Sequence, residues 1–216
     1  MLYPISLLLE IVENVPSLAE ECSALLVPCL FNYISNSDLT VFCIFGLGVC
    51  AMHGGAGFDP FCSRAVSVLL GATGADPEAQ RTLNLDSELD EDVVKDNAYS
   101  SLFKISVYRG LVMLGASTQM LQFCFQNMPL TNDVSEARSV HLLFVQLIMQ
   151  KDPRLLGPSG RLENISEVSR CRLESDSTSV CVCVCLCMSV CVCVRVCVCV
   201  KVLCVWRCVC VCVCIC

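Results

Sequence analysis

The stretch LTVFCIFGLGVCAMH, Leu39–His53, is apolar almost all the way round and carries Gly46 and Gly48 in its interior. Apolar on every side, it predicts a helix buried on more than one face. An interior glycine costs about 1 kcal/mol against alanine, so two of them predict close packing by neighbouring helices. Gly54-Gly55 ends the run. Before it, Ser35-Asn36-Ser37-Asp38 is a stop signal, and Asp38 is placed to cap the next helix.

Outward from this segment the apolar residues recur at helical spacing and rarely alternate. Toward the N-terminus, Cys22, Leu25, Leu26, Cys29, Leu30 and Tyr33 form one stripe between Leu18 and Ile34, and Pro28 kinks that helix without ending it. Toward the C-terminus, Phe58–Leu70 presents Phe61, Ala65, Val68 and Leu69 on one face. An acidic loop follows from Gly71 to Glu88, then a helix from Leu89 to Val107 with the stripe Val94, Ala98, Leu102 and Ile105. Thr118–Met128 and Val134–Lys151 form a further pair, the second with Ala137, Val140, Phe144, Leu147 and Ile148 inward. The pattern weakens after Asp152-Pro153, and Gly157-Pro158-Ser159-Gly160 reads as a turn. Helix pairs of roughly 40 residues predict an all-α, HEAT/armadillo-like α-solenoid over residues 1–168.

The rest of the chain is of another kind. A linker spans 169–180, and residues 181–216 are a Cys-Val low-complexity tail. Fourteen of the 21 cysteines lie between Cys181 and Cys216, leaving seven for the first 180 residues, a number that suits buried thiols rather than a disulfide scaffold. A TG dinucleotide repeat read in codons gives alternating Cys and Val. The exceptions fit such an origin, since Leu186 and Met188 are one base from GTG and Ser189, Arg195 and Trp206 one base from TGT. The alternation is that of a strand, but both alternating residues are apolar, so the tail is strand-prone or unstructured, aggregation-prone and without assigned function. Arg195, Lys201 and Arg207 interrupt it too often for a membrane span.

Charge excludes more. The tail has no Asp or Glu and three cations, so residues 1–180 carry 11 basic and 21 acidic groups, a net of −10. That balance argues against direct nucleic-acid binding and for basic protein partners. Met1–Leu9 is apolar but has no basic n-region and runs into Glu10 and Glu13, unlike a secretion signal.

Phe45–Gly55, FGLGVCAMHGG, resembles the YGLGVMAQYGG-type helix ending of the C-terminal HEAT repeats in karyopherin-β nuclear transport receptors. Further segments are similar to the importin-five (karyopherin beta-three) branch. Leu9–Asn14 (LEIVEN) resembles the end of a repeat helix, and Pro60-Phe61-Cys62 the start of the next. Glu91–Ile105 (EDVVKDNAYSSLFKI) resembles an acidic, Asn-bearing inner helix, and Met128-Pro129-Leu130 and Leu155-Leu156-Gly157-Pro158 two turns. The ordered matches cover residues 7–168. At Asp38–Ile44 the family's Pro-Glu-Val-Arg start is replaced, and between Tyr108 and Gln119 its pattern is lost. The resemblance implies a non-enzymatic fragment of a receptor that carries basic cargo, such as ribosomal proteins and histones, in a Ran-dependent way through cytoplasm and nucleus. It covers only the last few repeats and includes no counterpart of the Ran-GTP-binding arch, so Ran-GTP binding is expected of the parent and not of this chain. The alternative is a HEAT-repeat interaction scaffold without a transport role.

The acidic run Asp86, Glu88, Asp90, Glu91, Asp92, Asp96 is the strongest functional feature. It lacks EF-hand spacing and has no aromatic sugar platform, so a solvated face or a surface for basic cargo are its readings. By the resemblance, Asp90, Glu91, Asp92, Asp96 and Asn97 are the cargo-binding candidates. Gly46-Leu47-Gly48-Val49-Cys50-Ala51 formally fits a dinucleotide fingerprint, but a fingerprint needs a strand before it. Cys43, Cys50 and His53 share one helix; the thiols read as buried apolar groups and His53 as an imidazolium favoured at a helix end. His141 stands alone, and Asn164-Ile165-Ser166 is a formal glycosylation sequon. No cofactor, metal or catalytic group is expected.

Overall fold

The computed structural model describes residues 2–36, 38–83, 90–113, 115–156, 180–186, 192–202 and 205–215. Contacts divide the chain into two units, Met1–Ile165 and Ser166–Cys216. The described residues of the first are all-α, and none of its described helices is long and apolar enough to cross a membrane.

Helix α1 (Leu2–Asn14) buries Ile5, Leu9 and Val12 at helical spacing. The residue before a proline is pushed out of the α region, and Val15 takes φ −123° and ψ 79° ahead of Pro16. Pro16 then opens α2 (Pro16–Tyr33), in a first turn where its missing N–H costs nothing. Pro28 lies inside α2 and the helix continues through it to Tyr33, as its apolar pattern predicts. The buried face, however, is Ala19, Ser23, Leu26, Val27, Leu30 and Phe31. Leu25 is 74% exposed and Cys29 also faces solvent, against expectation. The segment Leu25–Phe31 is apolar all round, so its periodicity admits two overlapping stripes, and packing against α1 and α3 selects between them.

Helix α3 (Thr40–His53) begins one residue later than expected, which puts Asp38 ahead of the capping position at Leu39. Thr40 closes the turn instead, its hydroxyl donating to the carbonyls of Ile34 (2.8 Å) and Asn36 (2.9 Å). Both interior glycines are contact points. A Cβ on Gly46 would lie 3.0 Å from Leu30, and one on Gly48 would lie 2.6 Å from the Ser101 hydroxyl. Two short 3-10 turns, Gly55–Gly57 and Asp59–Phe61, lead into α4 (Cys62–Thr73). Gly57 lies so close to α2 that a Cβ would fall 2.2 Å from the Glu20 carbonyl oxygen.

The expected loop over 71–88 is helical in part. Helix α4 runs into it as far as Thr73, and α5 (Pro77–Leu83) follows. Asp76 caps α5, its Oδ1 accepting from the amides of Glu78 and Ala79 at 3.1 Å. Leu83 is the one buried residue of α5, too little apolar content for a periodicity to register. Asp86 and Glu88 lie outside the described residues.

Helix α6 (Glu91–Tyr108) packs against α3, α4, α7 (Ser117–Gln126) and α8 (Val134–Met149). Its predicted stripe Val94, Ala98, Leu102 and Ile105 is buried, and so are Ala137, Val140, Leu147 and Ile148 of α8. Phe144 of α8, half-buried, meets Phe125 in a tilted pair (4.7 Å between centroids), and Phe125 meets Phe103 edge-on at 5.5 Å. A single turn, α9 (Pro153–Leu156), completes the helices described. The predicted turn at 157–160, the linker at 169–179 and Asn164 lie outside the described residues.

In the second unit, β1 (Val180–Leu186), β2 (Val192–Val202) and β3 (Val205–Ile215) form an antiparallel sheet in sequence order. Its register sets Cys183 opposite Arg195 and Val196 opposite Val211.

Candidate functional site

The acidic start of α6 separates into two groups. Asp90 is the N-cap, its Oδ1 accepting from the amides of Asp92 (3.1 Å) and Val93 (3.3 Å). Glu91 pairs with Lys95 at 3.1 Å on the surface, and Asp92 is exposed beside it. Carboxylates at a helix N-terminus are favoured by the macrodipole, and these three lie open to solvent.

Asp96 and Asn97 point inward instead, at 7% and 1% exposure. Asp96 Oδ2 accepts from three successive amides of the α7–α8 loop, Thr131 (2.8 Å), Asn132 (2.6 Å) and Asp133 (3.1 Å). Asn97 Nδ2 donates to the Val93 carbonyl and to Asp133 Oδ2, each at 3.0 Å. Asp133 in turn caps α8, Oδ1 accepting from Ser135 (3.1 Å) and Glu136 (3.0 Å). The five candidates therefore do not form one surface: Asp90, Glu91 and Asp92 face solvent, whereas Asp96 is committed to holding a loop. Consecutive residues on a helix point about 100° apart, and spacing alone does not reveal which direction is filled.

Deeper in, Glu136 Oε2 accepts from Lys104 Nζ at 2.7 Å and from the Ser100 hydroxyl. Lys104 Nζ also lies 5.4 Å from the centroid of Phe45. None of Ser100, Lys104 and Glu136 stood out in the sequence. The one available signal was a lysine beside Leu102, Phe103 and Ile105, and side chains that snorkel to solvent give the same pattern.

A cavity of about 390 Å³ opens above this network. One wall comes from α3 and the turn before it, with Asp38, Val41, Phe42 and Phe45. Asn97 of α6 and the start of α8, through Asp133, Ser135 and Glu136, form the other. No lysine or arginine lines it.

The remaining candidates are structural. Gly46 and Gly48 sit inside α3 and not after a strand, so the fingerprint spacing lacks its context. Burial pushes the Cys43 thiol up to about 11 and the Cys50 thiol up to about 12. Such thiols stay protonated at neutral pH and are poor nucleophiles and ligands. Burial also holds His53 below its ordinary pKa, against a smaller upward pull from Glu13, and so disfavours the expected imidazolium. His141 is half-buried on α8 with no partner for Nε2; burial lowers its pKa and the Asp96 charge opposes this. Among the described residues no group of three or more His, Cys, Asp or Glu is arranged to hold a metal.

Comparison with protein-family models, with curated proteins and with solved structures gives no match for this chain.

Proposed function

We propose that the chain carries cargo-side C-terminal repeats of an importin-β-type nuclear transport receptor, whose parent takes basic proteins into the nucleus in a Ran-dependent way. The observation that carries this reading is Phe45–Gly55, FGLGVCAMHGG, where the resemblance coincides with a deeply packed helix. A HEAT/armadillo-like solenoid is supported by the order of contacts, with α1 against α3, α3 against α6 and α6 against α8. In a solenoid each repeat buries its apolar face on its neighbours, so such a succession is what stacked helix pairs produce. Ribosomal proteins and histones are the cargo class, met by the exposed carboxylates of Asp90, Glu91 and Asp92. Complementary charge of this kind steers encounter and weakens as salt screens it.

The test is a titration of a Lys/Arg-rich ribosomal-protein segment against wild type and the triple variant D90N/E91Q/D92N at low and moderate salt. Exposed pairs contribute roughly 0.2–1 kcal/mol each, so the variant should bind about threefold weaker or worse, with a flatter salt dependence. Equal affinities at both salts would remove these carboxylates from any cargo surface. The resemblance reaches no part of the Ran-binding arch, so purified Ran-GTP should form no saturable complex with this chain alone.

A further inference from the structure

We propose that the solvent face of α2, extended by α1, docks an amphipathic helix of a partner protein whose apolar stripe is flanked by lysines or arginines. The inference stands apart from the cargo reading above, whose carboxylates lie at the start of α6.

Helix α2 carries two apolar stripes and uses one. Its buried face packs against α1 and α3. The other stripe is Leu18, Cys22, Leu25 and Cys29, spaced i, i+4, i+7 and i+11, which keeps all four on one side of the helix. Leu25 is 74% and Leu18 45% exposed; Cys29 is exposed and Cys22 half-buried. Helix α1, packed on α2, adds Leu7 at 58% exposure and the half-buried Ile11. A surface helix ordinarily turns polar residues to water. Here the solvent side stays apolar for about three turns, a length of about 16 Å.

Charge selects the occupant. Residues 1–63 contain no lysine or arginine, while α1 and α2 carry Glu10, Glu13, Glu20 and Glu21. All four are exposed, and among the described residues no lysine or arginine pairs with them. Glu21 stands one turn from both Leu18 and Leu25, and Glu10 one turn from Leu7. The first cation of the chain, Arg64, lies over the ring of Phe31 at 4.3 Å, and Phe31 belongs to the buried face. An apolar strip with an acidic rim and no cation is complementary to an apolar strip with a basic rim. A second copy of this face would set glutamates against glutamates, and an anionic lipid surface would meet the same repulsion.

The apolar strip also selects a helix over an extended segment. A helix arrives with its backbone groups already paired, whereas an extended chain would press open N–H and C=O groups onto leucines. Anchors at i, i+3 or i+4, and i+7 of the incoming helix seat on the α2 stripe by ridge-into-groove packing.

The test titrates the full chain with a fluorescein-labelled Leu/Lys peptide of five helical turns, about 18 residues, with leucines along one face and lysines elsewhere. Anisotropy should show saturable binding that weakens with salt. A scrambled peptide of the same composition and a Leu/Glu counterpart should each bind at least about tenfold weaker. L18S/L25S should weaken binding about tenfold or more, and E10Q/E21Q about threefold with a flatter salt dependence. Both pairs are exposed, so these variants should keep the unfolding midpoint. Leu142→Ser, at an exposed leucine of α8, should bind like wild type. Indifference to L18S/L25S, equal binding of the scrambled or Leu/Glu peptide, or an equal loss in Leu142→Ser would overturn the docking face. So would sedimentation in which L18S/L25S abolishes self-association of the chain without affecting peptide binding, since that assigns the stripe to a second copy.

Discussion

Lys104 Nζ lies 2.7 Å from Glu136 Oε2, with the two side chains only 4% and 7% exposed, so one ion pair ties the middle of α6 to the first turn of α8. Taking both charges out of water is expensive, and the pair is offset by its mutual attraction, the Ser100 hydroxyl and the Phe45 ring. Removing one partner strands the other. Lys104→Met should therefore destabilise the helical unit by about 3–5 kcal/mol in urea unfolding. The double variant K104M/E136L should recover most of that loss. A single variant costing under about 1 kcal/mol would mean that water reaches the pair.

The contact between α3 and α6 depends on Gly48. Its missing Cβ leaves room for Ser101, whose hydroxyl donates to the Ile44 carbonyl at 2.8 Å. Gly48→Ala would place a methyl 2.6 Å from that hydroxyl and 3.1 Å from the Ser101 Cα. Overpacking of this kind costs about 1–3 kcal/mol, more than the helix gains from alanine. Adding Ser101→Ala should restore part of the stability, because only the nearer contact is relieved. Thermal unfolding of the three variants measures this.

The two halves of the acidic run should respond oppositely to substitution. Asp96→Ala takes the acceptor from three loop amides and should destabilise by at least about 1–3 kcal/mol. D90N/E91Q/D92N should change stability by less than about 1 kcal/mol. Asparagine caps as well as aspartate, and the other two side chains are exposed. Chemical denaturation of both variants separates a structural carboxylate from surface ones.

Acidification should weaken the fold through its histidines. Burial lowers the folded-state pKa of His53 and of His141. The unfolded chain then binds more protons at mildly acidic pH, so stability is complete above about pH 6.5 and falls as pH drops below it toward the folded values. Unfolding free energy at pH 7.5 and 5.5 should show the loss, and H53Q/H141Q should reduce it. Asp152 acts in a separate window. Arg154 holds its carboxyl below the usual range, so that contribution disappears only as pH falls below about 4.

Much of the helical order was legible from residue spacing. Val94, Ala98, Leu102 and Ile105 announce the inner face of α6 because polar residues separate them, and the structure buries all four. Gly54-Gly55 marks the end of α3, where Gly55 takes a φ of 52° that most side chains resist. Where the local signal was degenerate, the sequence left the outcome open. Leu25–Phe31 is apolar on every side, so only the neighbours α1 and α3 could choose Leu26 over Leu25. Helix α5 rests on one cap and one buried leucine, which is too little for a period.

Composition and spacing by themselves determined an acidic, helical body, a Cys-Val tail of different composition and an acidic start to α6. The tertiary structure decided the direction and use of each side chain. It divided Asp90, Glu91 and Asp92 from Asp96, brought Lys104 to Glu136 across 32 residues of chain, and set Asp38 and Phe42 opposite Asn97 and Glu136. The physical reason is that helix periodicity is a local property of consecutive residues. The partner of a buried polar group is fixed by which helices meet, and here those helices lie far apart in sequence.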